Sequence, residues 1–161
     1  MVEKWNIRAA YDAIAPDYAE ERSLEGEDTR ILETFLESID PPACILDAGC
    51  GQGTPILERI SRDHQAVGVD LSVTQLEIAS QRVPAADLVL GDVAAVPFVP
   101  ESFDAIIAMW SLIHIPSRDQ PQVLEAFARM LKSDGRVLVC DGMHPWSGAN
   151  EDWLGNGVEM Q

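Results

Sequence analysis

Lysine is almost missing from this 161-residue chain: Lys4 and Lys132 are the only two. Eleven basic residues stand against 27 acidic ones, a formal net charge of −16. A partner bound through its phosphates needs a basic footprint, so this surface argues against nucleic acid as the ligand. Cysteine is scarce as well. Cys44, Cys50 and Cys140 are odd in number and show no Cys-x-x-Cys spacing, so neither a disulfide framework nor a metal site is expected. They read as small buried apolar residues. No apolar run approaches the ~18 residues needed to cross a bilayer, and the start of the chain, with Glu3 and Lys4, lacks a continuous apolar core. No membrane partner is expected, and a cytoplasmic location follows by default. Internal repeats and low-complexity tracts are also missing.

Hydrophobic residues make up 47% and charged residues 24%, the balance of an ordinary globular domain. The length suits one such domain, taken as residues 1–161, and hardly two. An acidic, lysine-poor surface is expected of a protein kept soluble at high salt, where carboxylates stay hydrated and salt screens their repulsion. An ordinary acidic cytosolic protein fits equally well.

Residues 1–40 read as helical. Trp5, Ile7, Ala10, Tyr11 and Ile14 recur at helical spacing, Pro16 interrupts, and Ile31, Leu32, Phe35, Leu36 and Ile39 form a second stripe that ends at Asp40-Pro41-Pro42. Strands are then expected at 44–48, 66–70, 87–91, 103–109 and 136–140, with helices at 55–62, 73–82 and 117–132. Ser72 and Gln75 stand in a capping-box arrangement. Leu124, Phe127, Ala128 and Leu131 give the last helix its expected apolar face. Strands that alternate with helices, several apolar throughout, predict an α/β fold: a Rossmann-like, doubly wound, mostly parallel sheet with helices on both faces.

The sharpest feature is Asp47-Ala48-Gly49-Cys50-Gly51-Gln52-Gly53-Thr54, between the first strand and a helix. Glycines at such a junction let the backbone turn tightly and approach a ligand, at the strand edge where open α/β sheets bind nucleotides. A dinucleotide fingerprint would want a third Gly or Ala where Thr54 stands, and a phosphate-binding loop would want Gly-Lys-Ser/Thr. Asp47 would repel a pyrophosphate but can help hold a cationic ligand.

These residues resemble the class I S-adenosylmethionine (SAM)-dependent methyltransferases, in particular small-molecule members of the type 11/25 kind, whose first motif is an acidic residue followed by Gly-x-Gly-x-Gly. Here that is Asp47, Gly49, Gly51 and Gly53. Val67-Gly68-Val69-Asp70-Leu71-Ser72 is similar to the end of the family's second strand, which implies that Asp70 takes the ribose hydroxyls with Leu71 beside it. An acidic residue some twenty positions past the glycines is also where ribose recognition is expected in any Rossmann-like site. Leu90-Gly91-Asp92-Val93 resembles the third strand end, which implies Asp92 on the adenine amine and Val93 against the ring. Asp92 alone also fits a loop or cap position. Phe103 to Met109, continuing to Pro116, resembles the fourth strand and its substrate-facing loop, and the resemblance places Met109 in the cofactor set. Tyr11 and Tyr18 resemble the N-terminal lid. The implied cofactor is SAM, with S-adenosylhomocysteine (SAH) as product. Residues 1–40 would be a helical lid, 43–141 the Rossmann-like core, and 142–161 an irregular tail.

A hydroxyl or thiol acceptor needs a base, and His114, after the fourth strand, is the candidate catalytic residue. Hydrogen bonding to loop backbone is its other reading. Trp110, His114, His144 and Trp146 are candidates for the substrate side. His64 falls at the opposite sheet edge and reads as a surface residue. An Asn-Pro-Pro-Tyr motif of amino methyltransferases is missing where Ala108-Met109-Trp110-Ser111 stands, which with the acidity favours a small-molecule acceptor. A SAM-binding module without transferase activity is the alternative; a nucleotide-dependent oxidoreductase is disfavoured by Thr54. The family's sheet resembles seven strands, the last two pairing beside the fifth, whereas five are legible here. The expectation is either a C-terminally truncated form of a longer enzyme or a homodimer that covers the fifth strand.

Overall fold

The computed structural model describes residues 26–141. Tyr11, Tyr18, His144 and Trp146 lie outside the described residues, as do most of the expected lid and the tail.

The described chain opens with helix α1 (Glu27–Glu37), which buries Leu32 and Leu36 and places Glu27 and Asp28 in its first turn, where acidic side chains suit the helix dipole. It stops ahead of the two prolines: the Ser38 backbone N–H and hydroxyl both donate to the Phe35 carbonyl. There follow β1 (Cys44–Ala48), α2 (Ile56–Ile60), β2 (Gln65–Asp70), α3 (Val73–Arg82), β3 (Asp87–Leu90), β4 (Phe103–Met109), α4 (Gln120–Met130) and β5 (Leu131–Cys140). A 3-10 helix, Leu112–His114, stands between β4 and α4.

The strands form one sheet in the order β3-β2-β1-β4-β5, and every pairing is parallel. Such a sheet must be covered on both faces, and alternate strand residues divide accordingly. Ile45 and Ile107 join Leu32, Leu36, Leu57, Ile60 and Leu76 in one core, under α1, α2 and α3. Leu46 and Ile106 join Val123, Phe127 and Met130 in a second core, under α4. The doubly wound α/β arrangement read from the sequence is present, with five strands among the described residues. No helix among them is long and apolar enough to cross a membrane.

Four local expectations need correction. Helix α2 is shorter than 55–62: after Ile60 the chain leaves it in tighter turns, with the Arg62 and Asp63 N–H groups donated to the Arg59 and Ile60 carbonyls, and the Ser61 hydroxyl donated to the Glu58 carbonyl at 2.8 Å. Helix α4 is shorter than 117–132, with Pro121 in its first turn and Leu131 already extended at ψ 140°. Its buried face is Val123, Ala126, Phe127 and Met130, whereas Leu124 and Ala128 are exposed and Leu131 is half-buried. Two apolar stripes overlap at Phe127, and the one starting at Val123 meets the sheet. Finally, β5 pairs Leu131 with Phe103 and then Arg136 with Ala105, so residues 132–135 bulge out and regular pairing begins at Arg136. Asp134, at φ 66°, makes that turn.

His64 is more than a surface residue. Its Nδ1 accepts the Ala43 backbone N–H at 3.3 Å and helps fix the entry to β1. Of the cysteines, Cys50 is buried, Cys44 and Cys140 are half-buried, and all three are free thiols.

Candidate functional site

The strand order reverses at β1: the chain moves outward through β2 and β3, then returns to place β4 on the other side. At such a switch point the loops leaving the two central strands part, and open α/β sheets bind ligands there. Here the two loops touch at their bases, next to the strand ends. A Cβ on Gly49, after β1, would fall 2.5 Å from Ser111 Cβ, after β4. Gly49 also has φ +85°, so both the conformation and the space at this position require glycine.

From Gly49 the loop turns toward β2. Gly49 and Cys50 both donate their N–H groups to the Val69 carbonyl, at 2.8 and 3.0 Å. Gly51 donates its N–H to Asp70 Oδ2 at 2.8 Å, and Ser72 donates its N–H to Asp70 Oδ1 at 2.9 Å. Both carboxylate oxygens of Asp70 are therefore fixed by backbone, and the side chain stands at the end of β2 beside the glycine loop. Ser72 caps α3 by accepting the Gln75 N–H at 3.1 Å, the first half of the expected capping box. The reciprocal half is missing, since the Gln75 side chain has no hydrogen-bond partner among the described residues.

Asp47, within β1, is 1% exposed, an ionisable group buried directly before the loop. Leu71 and Val93 are half-buried beside the ends of β2 and β3. Asp92 begins a tight turn in which its Oδ1 accepts the Ala94 N–H at 2.9 Å and its carbonyl accepts those of Ala95 and Val96. The loop-capping reading of Asp92 is thus realised, and its carboxylate stays at the same sheet edge. Met109 ends β4 fully buried. The structure therefore brings Asp47, Gly49, Gly51, Gly53, Asp70, Leu71, Asp92, Val93 and Met109 to the carboxyl ends of four adjacent strands.

On the β4 side, Trp110 takes a left-handed backbone at φ 61°, which costs a non-glycine residue ~1–3 kcal/mol unless its surroundings hold it there. They do. Its backbone N–H donates to the Cys140 carbonyl at 2.9 Å and its indole Nε1 donates to Asp28 Oδ2 at 3.0 Å. The ring, 39% exposed, thereby joins α1 to the ends of β4 and β5. Burial pushes the Cys140 thiol up from its ordinary range, and the nearby Asp28 carboxylate adds to the shift. The following loop is fixed by Gln120, whose Nε2 donates to the Leu112 and Ile115 carbonyls. His114 closes the 3-10 turn in that loop, and its side chain is outside what the structure describes.

Sequence reasoning missed three residues here. Ser111 packs on Gly49, and its buried Oγ has no hydrogen-bond partner among the described residues. Asp28 reaches Trp110, and Arg82 reaches Gln52 and Thr54 in the glycine loop. The contacts of Asp28 and Arg82 span 82, 30 and 28 positions, which no local pattern signals.

The family described as "Methyltransferase domain" matches residues 45–135. Methyltransferase GfsG of Streptomyces halstedii is 35% identical over 135 residues, covering 78% of this chain and 48% of that protein. The 2-phytyl-1,4-naphtoquinone methyltransferase of Thermosynechococcus vestitus is 32% identical over 158 residues, covering 92% and 69%. RNA methyltransferases of Arabidopsis thaliana and Schizosaccharomyces pombe also match, at 28% and 31% identity. Among solved structures, the [4+2]-cyclase SpnF aligns with a TM-score of 0.69 at 24% identity, covering 83% of this chain and 58% of that one. The chain spans between 35% and 69% of the length of these and similar curated relatives.

Proposed function

Because this chain belongs to the methyltransferase domain family, whose cofactor is SAM, we propose that it transfers the methyl group of SAM to a small-molecule acceptor. The observation that carries the reading is the Gly51 N–H donated to Asp70 Oδ2, which welds the glycine loop to the acidic end of β2. The neighbouring residues fit the cofactor. Gly49 lets the loops after β1 and β4 close on one another where any side chain would collide with Ser111, and Asp47 suits a ligand that is cationic at sulfur and at its amino group. No lysine stands in the loop to favour a phosphate instead.

In this reading Asp47, Gly49, Gly51 and Gly53 hold the amino-acid end, and Asp70 with Leu71 holds the ribose. Asp92 and Val93 take the adenine, Met109 closes the β4 side, and Tyr11 and Tyr18 close the lid. When bound, SAM supplies a methyl group on a sulfonium, and positive charge leaves sulfur as that methyl is displaced in line. The chain's task is then alignment and exclusion of water. For a hydroxyl or thiol acceptor, His114 takes the acceptor's proton as the new bond to the methyl forms and SAH departs. Trp110, His144 and Trp146 line the acceptor side.

The charge of −16 supports a small acceptor over RNA, even though RNA enzymes are among the relatives. Three free thiols support a cytoplasmic setting.

Calorimetry with SAM, SAH and NAD is the first test, followed by a screen of hydroxyl, thiol and carbon acceptors read by SAH release. Tight NAD binding without SAM binding would sink the assignment. Binding without methyl release across the screen would favour a SAM-binding module that is not a transferase. With an active acceptor in hand, His114→Ala is expected to slow transfer by a factor on the order of 10²–10⁴ and leave SAM affinity intact.

A further inference from the structure

Two side chains from outside the glycine loop grip it, and ligand chemistry accounts for only one. Asp70 holds its first half through Gly51. Its second half is held by Arg82, the last residue of α3, whose Nη1 donates to Gln52 Oε1 and, at 3.0 Å, to Thr54 Oγ1. Gln52 is 0% exposed, so the guanidinium meets a buried amide beneath the loop.

Helix α3 lies close under this segment. A Cβ on Gly53 would stand 3.2 Å from Ala79 Cβ and 3.1 Å from Val83 Cγ2. Gln75, Ala79 and Arg82 share one face of the helix at spacings of four and three. Gln75 is itself 1% exposed, and among the described residues neither its side-chain nitrogen nor its side-chain oxygen has a hydrogen-bond partner; Gln52 Nε2 also has none there. Buried amides without partners are costly, and apolar side chains in this layer would make a more stable protein. A polar layer kept at that cost, directly beneath the loop, is arranged for positioning rather than stability.

We propose that Arg82 is a positioning residue of the cofactor loop. Bound to Gln52 and Thr54, it locks the loop to the C-terminal end of α3, while Asp70 and Ser72 lock it to the N-terminal end. The Gly51 N–H and the Asp70 carboxylate are thereby fixed relative to one another before the cofactor binds. Arginine suits this task because its planar head can serve two acceptors from a single defined position, which a lysine ammonium does less well. The inference rests on the cofactor reading above.

The test is SAH titration by calorimetry, at a temperature where every variant is folded, combined with amide hydrogen exchange. Arg82→Met keeps the aliphatic stem and removes the donors. It is expected to bind SAH roughly tenfold more weakly, the scale of one charge-assisted hydrogen bond. Exchange at Gly51 and Gly53 should quicken, with Val67 and Val69 in β2 still protected, and Arg82→Lys should recover part of the affinity. Should Arg82→Met fail to fold, Thr54→Val removes only the half-buried acceptor and should weaken SAH by about threefold. A merely structural arginine would lower the melting temperature but leave SAH affinity and exchange at Gly51 and Gly53 as in the parent, which would overturn the proposal. A parent chain that binds no SAH would overturn the cofactor reading and this proposal with it, so the first titration separates the two failures.

Discussion

Two glycines with the same φ separate conformational strain from steric collision. Gly26 and Gly49 both have φ +85°, but a Cβ on Gly26 meets nothing within 4 Å, whereas one on Gly49 meets Ser111 Cβ at 2.5 Å. Gly26→Ala is therefore expected to cost ~1 kcal/mol by backbone strain alone and to leave SAH binding unchanged. Gly49→Ala adds a collision between the loops after β1 and β4, and should cost ~2–4 kcal/mol and abolish measurable SAH binding. Denaturant melts and calorimetry on the two variants check both halves. Asp70 offers a second residue-scale test. Each of its oxygens already accepts a backbone N–H, so Asp70→Asn must turn an amide N–H toward either Gly51 or Ser72. This nearly isosteric change should still weaken SAH by roughly 10- to 100-fold, because hydrogen bonds to a charged acceptor are worth ~1.5–3 kcal/mol. Parent-like affinity would remove Asp70 from the ribose role. The glycines and Asp70 were legible in the sequence because turn geometry and strand ends are local properties. Arg82 on Gln52 and Asp28 on Trp110 were not, because only the folded sheet brings those residues together.

The strands were easier to read than the helices. Buried parallel strands such as Ile45 to Ala48 and Phe103 to Met109 are apolar apart from Asp47 and Asp104, so their extents show directly in the residues. The face of α4 did not, since Val123 and Leu124 begin rival stripes and only contact with the sheet selects the first. Pairing that crosses strands was also invisible, as Asp104 shows at the edge opposite the site. Its Oδ2 accepts the Cys44 backbone N–H and the Lys132 ammonium, both at 2.8 Å, tying β4 to β1 and to the first residues of β5. The hydrogen bond from Lys132 holds the Asp104 carboxyl below its ordinary range, with the Cys44 N–H adding to the effect. A folded-state pKa below the unfolded one means that this contribution is complete above the ordinary carboxylate range and disappears as pH falls through the lower, folded value. Asp104→Asn should therefore lower stability at pH 7 and flatten its decline below about pH 4. The difference should stay within ~1 kcal/mol, because both partners of the ion pair are partly solvated. Urea melts at pH 7 and pH 3 measure it, and equal losses at both would show that the carboxylate charge contributes nothing.

Charge acts on the molecule as a whole. Arg30, Arg59, Arg62, Arg118 and Lys132 are each paired with a nearby carboxylate, namely Glu27, Glu33, Glu58, Asp119 and Asp104. With 27 acidic residues against 11 basic ones, most carboxylates lack a cation and repel one another across the surface. Screening reaches ~10 Å at 0.1 M salt and ~3 Å at 1 M, so repulsion between well-separated carboxylates fades first, while contact pairs weaken more slowly. The melting temperature is accordingly expected to rise with KCl. The form of the rise separates the two origins proposed for the acidity. Simple screening in an ordinary acidic protein should give most of the gain by about 0.3 M, since by then the Debye length is already shorter than typical spacings between surface charges. Adaptation to high salt, in which hydrated carboxylates favour the compact state, should keep raising the curve to molar concentrations. A thermal melt series in KCl reads both regimes on the same sample, and a flat series would remove self-repulsion as a factor in this protein's stability.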